Sequence, residues 1–534
     1  MTPSDPAMTL DDACRAAVVA HPDAIALVDA PNRSSYFSGE PVRLTWSEVD
    51  SAVDSLATSL SALGAGPGAS VALQLPNVAE LVLNLLACFR IGATAVPFPI
   101  QHRSHELNHG LRVARPRLFV TGARPDRPDQ IEVVSRVIAE QEADVIVVDC
   151  TTDPHPDAEP QTWRASSSAP PAAANDGADV VTICWTSGTT GTPKGVPRTN
   201  TMWLASGGFQ VDQLHLNSND RILCPFPVVN MAGIGGMVVP WLMTGATLHL
   251  HQPLDLPVFL QQASDERITY TVAPPPLLNM LLANPAMLDS VDISSLRRIS
   301  SGSAPLDPGM VEGWQDRGVE IVNVFGSNEG ASMLSTQAMV PDPTERARFF
   351  RRPDRDGIET RLVDLQTGTE ITEPGTVGEL RFIGKTVFDG YLESDGSEFD
   401  ERGFYRTGDL FEWVGDDRPP SLLRFVDRAK DIIIRGGMNI SAAEVEGLIA
   451  SHPTVVECAA VAYPDAELGE RLGVFVVGVE GTTPTLDAVV DHLRQQDVAS
   501  YKLPERLELI DALPRNPVGK VTKPSLRETW ATAT

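Results

Sequence analysis

The chain has 534 residues, 42% hydrophobic and 21% charged, with a formal net charge of −28. That length exceeds what one core supports, so two or more domains are expected. The acidic balance argues against nucleic acid or an anionic membrane as partner, while leaving room for a nucleotide in a local basic pocket.

Six cysteines, at 14, 88, 150, 184, 224 and 458, lack CxxC or metal-ligand spacing, which fits free thiols in a reducing compartment. The start Met1-Thr-Pro-Ser-Asp-Pro does not read as a leader, and no apolar run approaches the roughly 18 residues of a membrane span. A cytoplasmic enzyme is the expectation.

In chain order, Thr45 and Glu48 form a capping box, and Val49, Val53, Leu56, Leu60 and Leu63 recur at helical spacing up to Gly64. A strand over 70–75 follows, then an apolar helix over 79–91. Strands at 93–97, 118–121 and 145–148 continue the alternation of a parallel α/β sheet. Residues 151–178, rich in Asp, Pro, Ser and Ala, read as a surface loop. The run Val180-Val-Thr-Ile183 predicts a strand that opens into Trp185-Thr-Ser-Gly-Thr-Thr-Gly-Thr-Pro-Lys194-Gly195. Further units follow, including a strand at 268–272 before a Leu-rich helix. Beyond about residue 355, short alternating segments such as 378–383 suggest a β-rich subdomain. Residues 432–440 read as a hairpin, and Ser441 caps a helix carrying Val445, Leu448 and Ile449.

The loop after Val180–Ile183 is the most informative segment. Glycines such as Gly188 let successive backbone N–H groups face one concavity that holds an anion. The hydroxyls of Thr186, Ser187, Thr189 and Thr190 add hydrogen bonds, and Lys194 adds a compact charge suited to phosphate. A Walker loop would need Gly-Lys-Ser/Thr where this chain has Thr-Pro-Lys-Gly. A plain flexible turn is the alternative, but the whole pattern after a strand points to a nucleotide triphosphate. Only six lysines occur, at 194, 385, 430, 502, 520 and 523; gene composition alone would give such a bias, but arginine cannot replace lysine where a compact ammonium is needed, so each is inspected individually, with Lys523 read as simply solvated.

With these segments in place the chain resembles the adenylate-forming superfamily, which includes acyl-CoA synthetases, standalone aryl-acid adenylating enzymes and firefly luciferase. The resemblance covers nearly the whole chain through at least five ordered motifs. It implies an α/β fold, with a large N-terminal domain (1–429) of layered sheets and helices plus the β-rich subdomain. A small mobile α+β domain (430–534) completes it. It implies joining a carboxylate to AMP with release of pyrophosphate, then passing the acyl group to a thiol.

By this resemblance Ser301-Gly302-Ser303-Ala304-Pro305 lies against adenine, with Ser303 standing where the family has glycine. In Asn323-Val-Phe-Gly-Ser-Asn-Glu329, Phe325 stacks on adenine, and Gly326 and Ser327 complete the nucleotide contact. Asn328 replaces a usual hydroxyl residue. Glu329 and Thr186 are implied to hold Mg²⁺, a hard cation that takes oxygen ligands. Asp409, in Thr407-Gly-Asp, accepts from the ribose hydroxyls. Arg428 lies near ribose and phosphate, and Lys430 is the hinge; Asp427 replaces the glycine usual before that arginine. Lys520 is the implied catalytic lysine, acting with Glu329 and Thr186 on charge built up at the α-phosphorus. Gly436 and Gly437 are implied to line the passage of the CoA arm after the small domain rotates.

The acid pocket is implied near 226–236 and 301–333, with Asn230, Met231, Gly235, Ser301, Gly302 and Met333 on the acid. Asn230 replaces a histidine common in relatives, and the segment has no aspartate to hold an ammonium, so a medium-sized apolar, aryl or alicyclic acid is expected. The expected partners are that acid, ATP and CoA, with no nucleic acid or membrane, in a monomer or homodimer. A standalone acyl- or aryl-AMP ligase, stopping at acyl-AMP or loading an acyl carrier protein, is the alternative. A non-catalytic nucleotide-binding regulator is the alternative of another class.

Overall fold

The computed structural model describes residues 8–152, 154–163, 175–186, 193–353, 357–415, 421–435, 438–465, 467–496, 498–515 and 521–531. The chain divides into two compact units. The first comprises Met1–Ala347, Arg355–Ile358 and Ile383–Asp400; the second comprises Arg348–Asp354, Glu359–Phe382 and Glu401–Thr534.

The first unit holds two large sheets. One has seven strands, with Ser70–Leu73 paired in parallel to Thr94–Pro97 and Leu118–Thr121. Its far edge carries Val180–Thr186, then Lys194–Thr199 running antiparallel. The other has eight strands with a parallel centre, in which Arg298–Gly302 pairs with Glu320–Gly326. Ser332–Ser335 closes that edge in antiparallel fashion. The mostly apolar helix Ala79–Ile91 is buried on every face, its Glu80, Asn84 and Arg90 included, and one cluster of buried side chains takes residues from it and from both sheets. The capping box at Thr45 forms as its spacing predicts, with Glu48 accepting the Thr45 N–H at 2.8 Å. Within the segment read as a surface loop, Glu159–Pro160 adds a short parallel edge strand.

The second unit contains a six-stranded sheet, in which Tyr405–Val414 pairs antiparallel with both Val377–Gly384 and Leu422–Arg428, and a five-stranded sheet. The β-rich segment therefore packs with the C-terminal residues. In the five-stranded sheet Ile433–Arg435 and Met438–Ile440 pair antiparallel in the register of a hairpin. Ser441 caps Ala442–Ile449 by accepting the Glu444 N–H.

Among the described residues no helix is long and apolar enough to cross a membrane. All six cysteines are free.

Candidate nucleotide and acid site

In the first unit the strand Val180–Thr186 delivers Thr186 opposite Lys194, their last cross-strand pair before residues outside the described set. Ser187, Gly188, Thr189 and Thr190 fall among those outside. Lys194 does not hang in solvent: its ammonium lies 4.5 Å from the centre of the Tyr391 ring, within cation–π range. The Tyr391 hydroxyl donates to Glu329 Oε1 at 2.7 Å, and Glu329 is 7% exposed. One tyrosine thus ties the proposed phosphate lysine to the proposed metal carboxylate. The Leu392 N–H donates to the Gly195 carbonyl at 2.9 Å, which anchors the tyrosine's segment beside the strand.

The chain from Asn323 to Gly330 is held from several directions. Asn323 Nδ2 donates to the Arg346 and Ala347 carbonyls at 3.1 and 3.0 Å, so its amide secures a neighbouring turn. Phe325 is half-buried, and its cross-strand partner is Met333, which is fully buried. Gly326 is exposed at the strand's end. Asn328 Oδ1 accepts from the Met231 N–H at 2.8 Å, and its Nδ2 donates to the Trp185 carbonyl at 2.9 Å. Asn230 Oδ1 accepts from the N–H groups of Ala232 and Gly233. These contacts bring Asn230, Met231 and Asn328 together; Gly235 lies one turn on, in the π-helical segment Met231–Val238.

On the neighbouring strand, Ser301 and Gly302 end Arg298–Gly302, and Ala304 and Pro305 follow on the surface. Ser303 adopts φ +70°, the left-handed region that explains the family's preference for glycine there. Buried hydroxyls on Ser301 and Ser327 have no hydrogen-bond partner among the described residues. Such groups carry a desolvation cost that a bound polar ligand would relieve.

Arg198 was missed in the sequence. It is fully buried beneath this region, donating to the Asn328, Met202 and Thr386 carbonyls and to the Ser206 hydroxyl. Its guanidinium lies 4.6 Å from the Trp203 ring centre. Burial pulls its pKa down to about 10, opposed by Cys184 and Glu329, so it stays charged at neutral pH. No local periodicity marks it. Tyr391 was missed too; Gly390-Tyr-Leu is too short a signal by itself.

In the second unit Asp409 and Arg428 are cross-strand partners, with Arg428 Nε 3.6 Å from Asp409 Oδ1. Thr407 Oγ1 accepts the Asp409 N–H at 3.0 Å and donates to the Leu380 carbonyl at 2.6 Å, which sets the turn. Asp427 is buried and accepts from Ser441 Oγ and the Ala443 N–H, at 2.9 and 3.0 Å. The aspartate in place of glycine therefore helps cap the next helix. Arg527 donates to the Lys430 carbonyl and to Asp431, fixing the backbone around Lys430. Gly436, Gly437 and Lys520 lie outside the described residues.

Among the described residues no group of three or more His, Cys, Asp or Glu side chains forms a metal cage. A cation at Glu329 would therefore rest on one carboxylate, ligand oxygens and water, a donor set that suits Mg²⁺.

A family model described as AMP-binding enzyme matches residues 14–392, and one described as AMP-binding enzyme C-terminal domain matches 444–520. The indoleacetate–CoA ligase of Aromatoleum aromaticum is 32% identical over 504 residues, covering 92% of this chain and 94% of that protein. The medium-chain fatty-acid–CoA ligase of Escherichia coli is 32% identical over 523 residues, covering 95% and 88%. ATP-bound MatB from Rhodopseudomonas palustris superposes with a TM-score of 0.81 at 25% identity, covering 98% of this chain and 99% of that one.

Proposed function

The chain belongs to the AMP-binding enzyme family, and from that premise we propose that it is an acid–CoA ligase. It activates a carboxylic acid with ATP as the acyl-adenylate, releases pyrophosphate, and transfers the acyl group to the thiol of CoA. The observation that carries the reading is the cluster of Thr186, Lys194, Tyr391 and Glu329, which joins a phosphate-binding strand end to a buried carboxylate.

In the first step the acid's carboxylate oxygen attacks the α-phosphorus and pyrophosphate departs. Lys194 and the hydroxyl of Thr186 hold the outer phosphates, and Phe325 with Ser303-Ala304-Pro305 receives the adenine. Asp409 accepts from the ribose hydroxyls. Lys520 meets the charge that develops on the phosphate oxygens. Mg²⁺ bound at Glu329 would supply neutralisation of the triphosphate. In the second step the CoA thiolate attacks the acyl carbon and AMP leaves. We place the working boundary at Lys430, with residues 430–534 turning between the two steps and Gly436-Gly437 flanking the CoA arm.

The acid is a neutral-tailed aryl, alicyclic or medium-chain one. In support, residues 226–238 contain no charged side chain, and the two curated relatives above act by name on indoleacetate and medium-chain fatty acids. The six free cysteines support a reducing, cytoplasmic setting.

A panel of carboxylic acids, scored by pyrophosphate release and by mass spectrometry of the CoA thioester, tests the reading. Acid-dependent release with thioester is expected. Release without thioester would assign the chain to acyl-AMP formation or carrier-protein loading instead.

A further inference from the structure

Two asparagines occupy positions where the resemblance leads one to expect other residues: Asn230 for a histidine and Asn328 for a hydroxyl residue. Their side chains meet on a single element. The segment Met231–Val238 winds as a π-helix, a form that recurs at functional sites. Its first backbone N–H groups have no acceptor within the helix. Asn328 Oδ1 takes the Met231 N–H at 2.8 Å, and Asn230 Oδ1 takes those of Ala232 and Gly233 at 3.0 and 3.2 Å. Two substitutions 98 positions apart in the chain thus form one cap.

Asn328 also reaches the other way. Its Nδ2 donates at 2.9 Å to the carbonyl of Trp185, the residue before Thr186 on the phosphate-side strand. Its own carbonyl is held by the buried Arg198 at 3.0 Å. A planar amide presents acceptor and donor on opposite arms, so it can bridge an N–H and a C=O in fixed geometry. A serine or threonine hydroxyl is one atom and cannot span both. The helix start has no slack to absorb a lost bond, because a Cβ on Gly233 would collide with the Pro227 carbonyl.

We propose that Asn328, together with Asn230, is a positioning residue that locks the pocket helix to the phosphate-side strand and so sets where the acid's carboxylate sits relative to the α-phosphorus. This rests on the acid-adenylating reading above. It assigns the Asn328 amide to holding the pocket, where the family pattern would place a nucleotide contact. Loss of the lock should therefore weaken the acid far more than ATP.

The test uses acid-dependent ATP–pyrophosphate exchange on the full chain, with indole-3-acetate, octanoate and phenylacetate as probes. Asn328→Thr loses the second arm. Asn328→Asp keeps the size and the acceptor for Met231 but sets a carboxylate against the Trp185 carbonyl. Both should raise KM for the acid about tenfold or more, with KM for ATP within about twofold. Asn230→Ala should do the same, and the Asn230→Ala/Asn328→Asp double variant should lose less than the product of the singles, because the two share one helix cap. Circular dichroism melts confirm that each variant is folded, and the near-isosteric Asn328→Asp serves if Asn328→Thr is not. A rise in KM for ATP with KM for the acid unchanged would overturn the proposal and make Asn328 a nucleotide contact. No change in either constant would also overturn it. A wild-type chain that exchanges with none of the probes or any acid of the wider panel would instead overturn the adenylation reading, and this inference with it.

Discussion

Tyr391 stands between two groups of opposite charge, with Lys194 over its ring and Glu329 on its hydroxyl. Tyr391→Phe keeps the ring and removes only a hydrogen bond to a charged group, worth about 1.5–3 kcal/mol. The expected result is a roughly 10- to 100-fold fall in kcat/KM for ATP and weaker binding of a non-hydrolysable ATP analogue by calorimetry. Tyr391→Leu, which also loses the cation–π contact, should fall further. Unaltered ATP dependence in Tyr391→Phe would remove the tyrosine from the site. A second residue governs pH behaviour far from this chemistry. His249 is 1% exposed, its Nδ1 lies 3.8 Å from Glu266, and neither ring nitrogen has a hydrogen-bond partner among the described residues. Burial, with Arg43 and Arg221 nearby, pulls its pKa to about 3. An unfolded histidine titrates near 6.5, so between those values the unfolded chain binds a proton that the native chain refuses. Stability is therefore complete above about pH 6.5 and falls with acidification, by at most about 1.4 kcal/mol per unit from this residue. His249→Gln should flatten that part of the slope in urea unfolding between pH 4 and 6, and an identical slope would contradict the assignment.

At the scale of elements, the excursion Ile383–Asp400 packs into the first unit and presses on the turn that follows Glu329. Gly330 sits at φ +96°, and an added Cβ would collide with the Thr386 carbonyl and crowd the Arg198 guanidinium. Gly330→Ala should cost about 3 kcal/mol or more, through left-handed strain and overpacking together. A thermal melt within a degree of wild type would show that the turn relaxes freely. The same packing explains why Arg198 tolerates burial with no ion pair among the described residues. Carbonyls from Asn328, Met202 and Thr386 surround it, and the Trp203 face covers it. The mostly apolar helix Ala79–Ile91 is buried on all sides in a different way: its Glu80 pairs with Arg33, and its Arg90 pairs with Asp11, Asp50 and Asp54.

At the scale of the molecule, two variants separate the two half-reactions. Lys520→Ala should reduce acid-dependent pyrophosphate exchange by about 10²-fold or more while ATP-analogue binding persists. Gly437→Trp should leave exchange intact and stop CoA thioester formation, because an indole would fill the proposed passage of the CoA arm. The reverse pattern would exchange the roles of the two segments, and loss of both activities in both variants would argue against a turning domain.

Much of this architecture was legible along the chain because its causes are local. The Thr45–Glu48 cap, the helix 79–91 and the strands at 70, 118 and 180 rest on periodicity and on hydrogen bonds spanning three or four residues. The order of the motifs likewise marks the family along the chain. What the chain could not display is how distant segments return to one another. Tyr391 meets Glu329 across 62 positions, and Asn328 meets Met231 and Trp185 across 97 and 143. Asn230 and Asn328 read as two unrelated departures until one helix cap joined them. A hydrogen bond carries no record of the length of chain between its partners, so these contacts were decided only when the two large sheets of the first unit closed around their shared core.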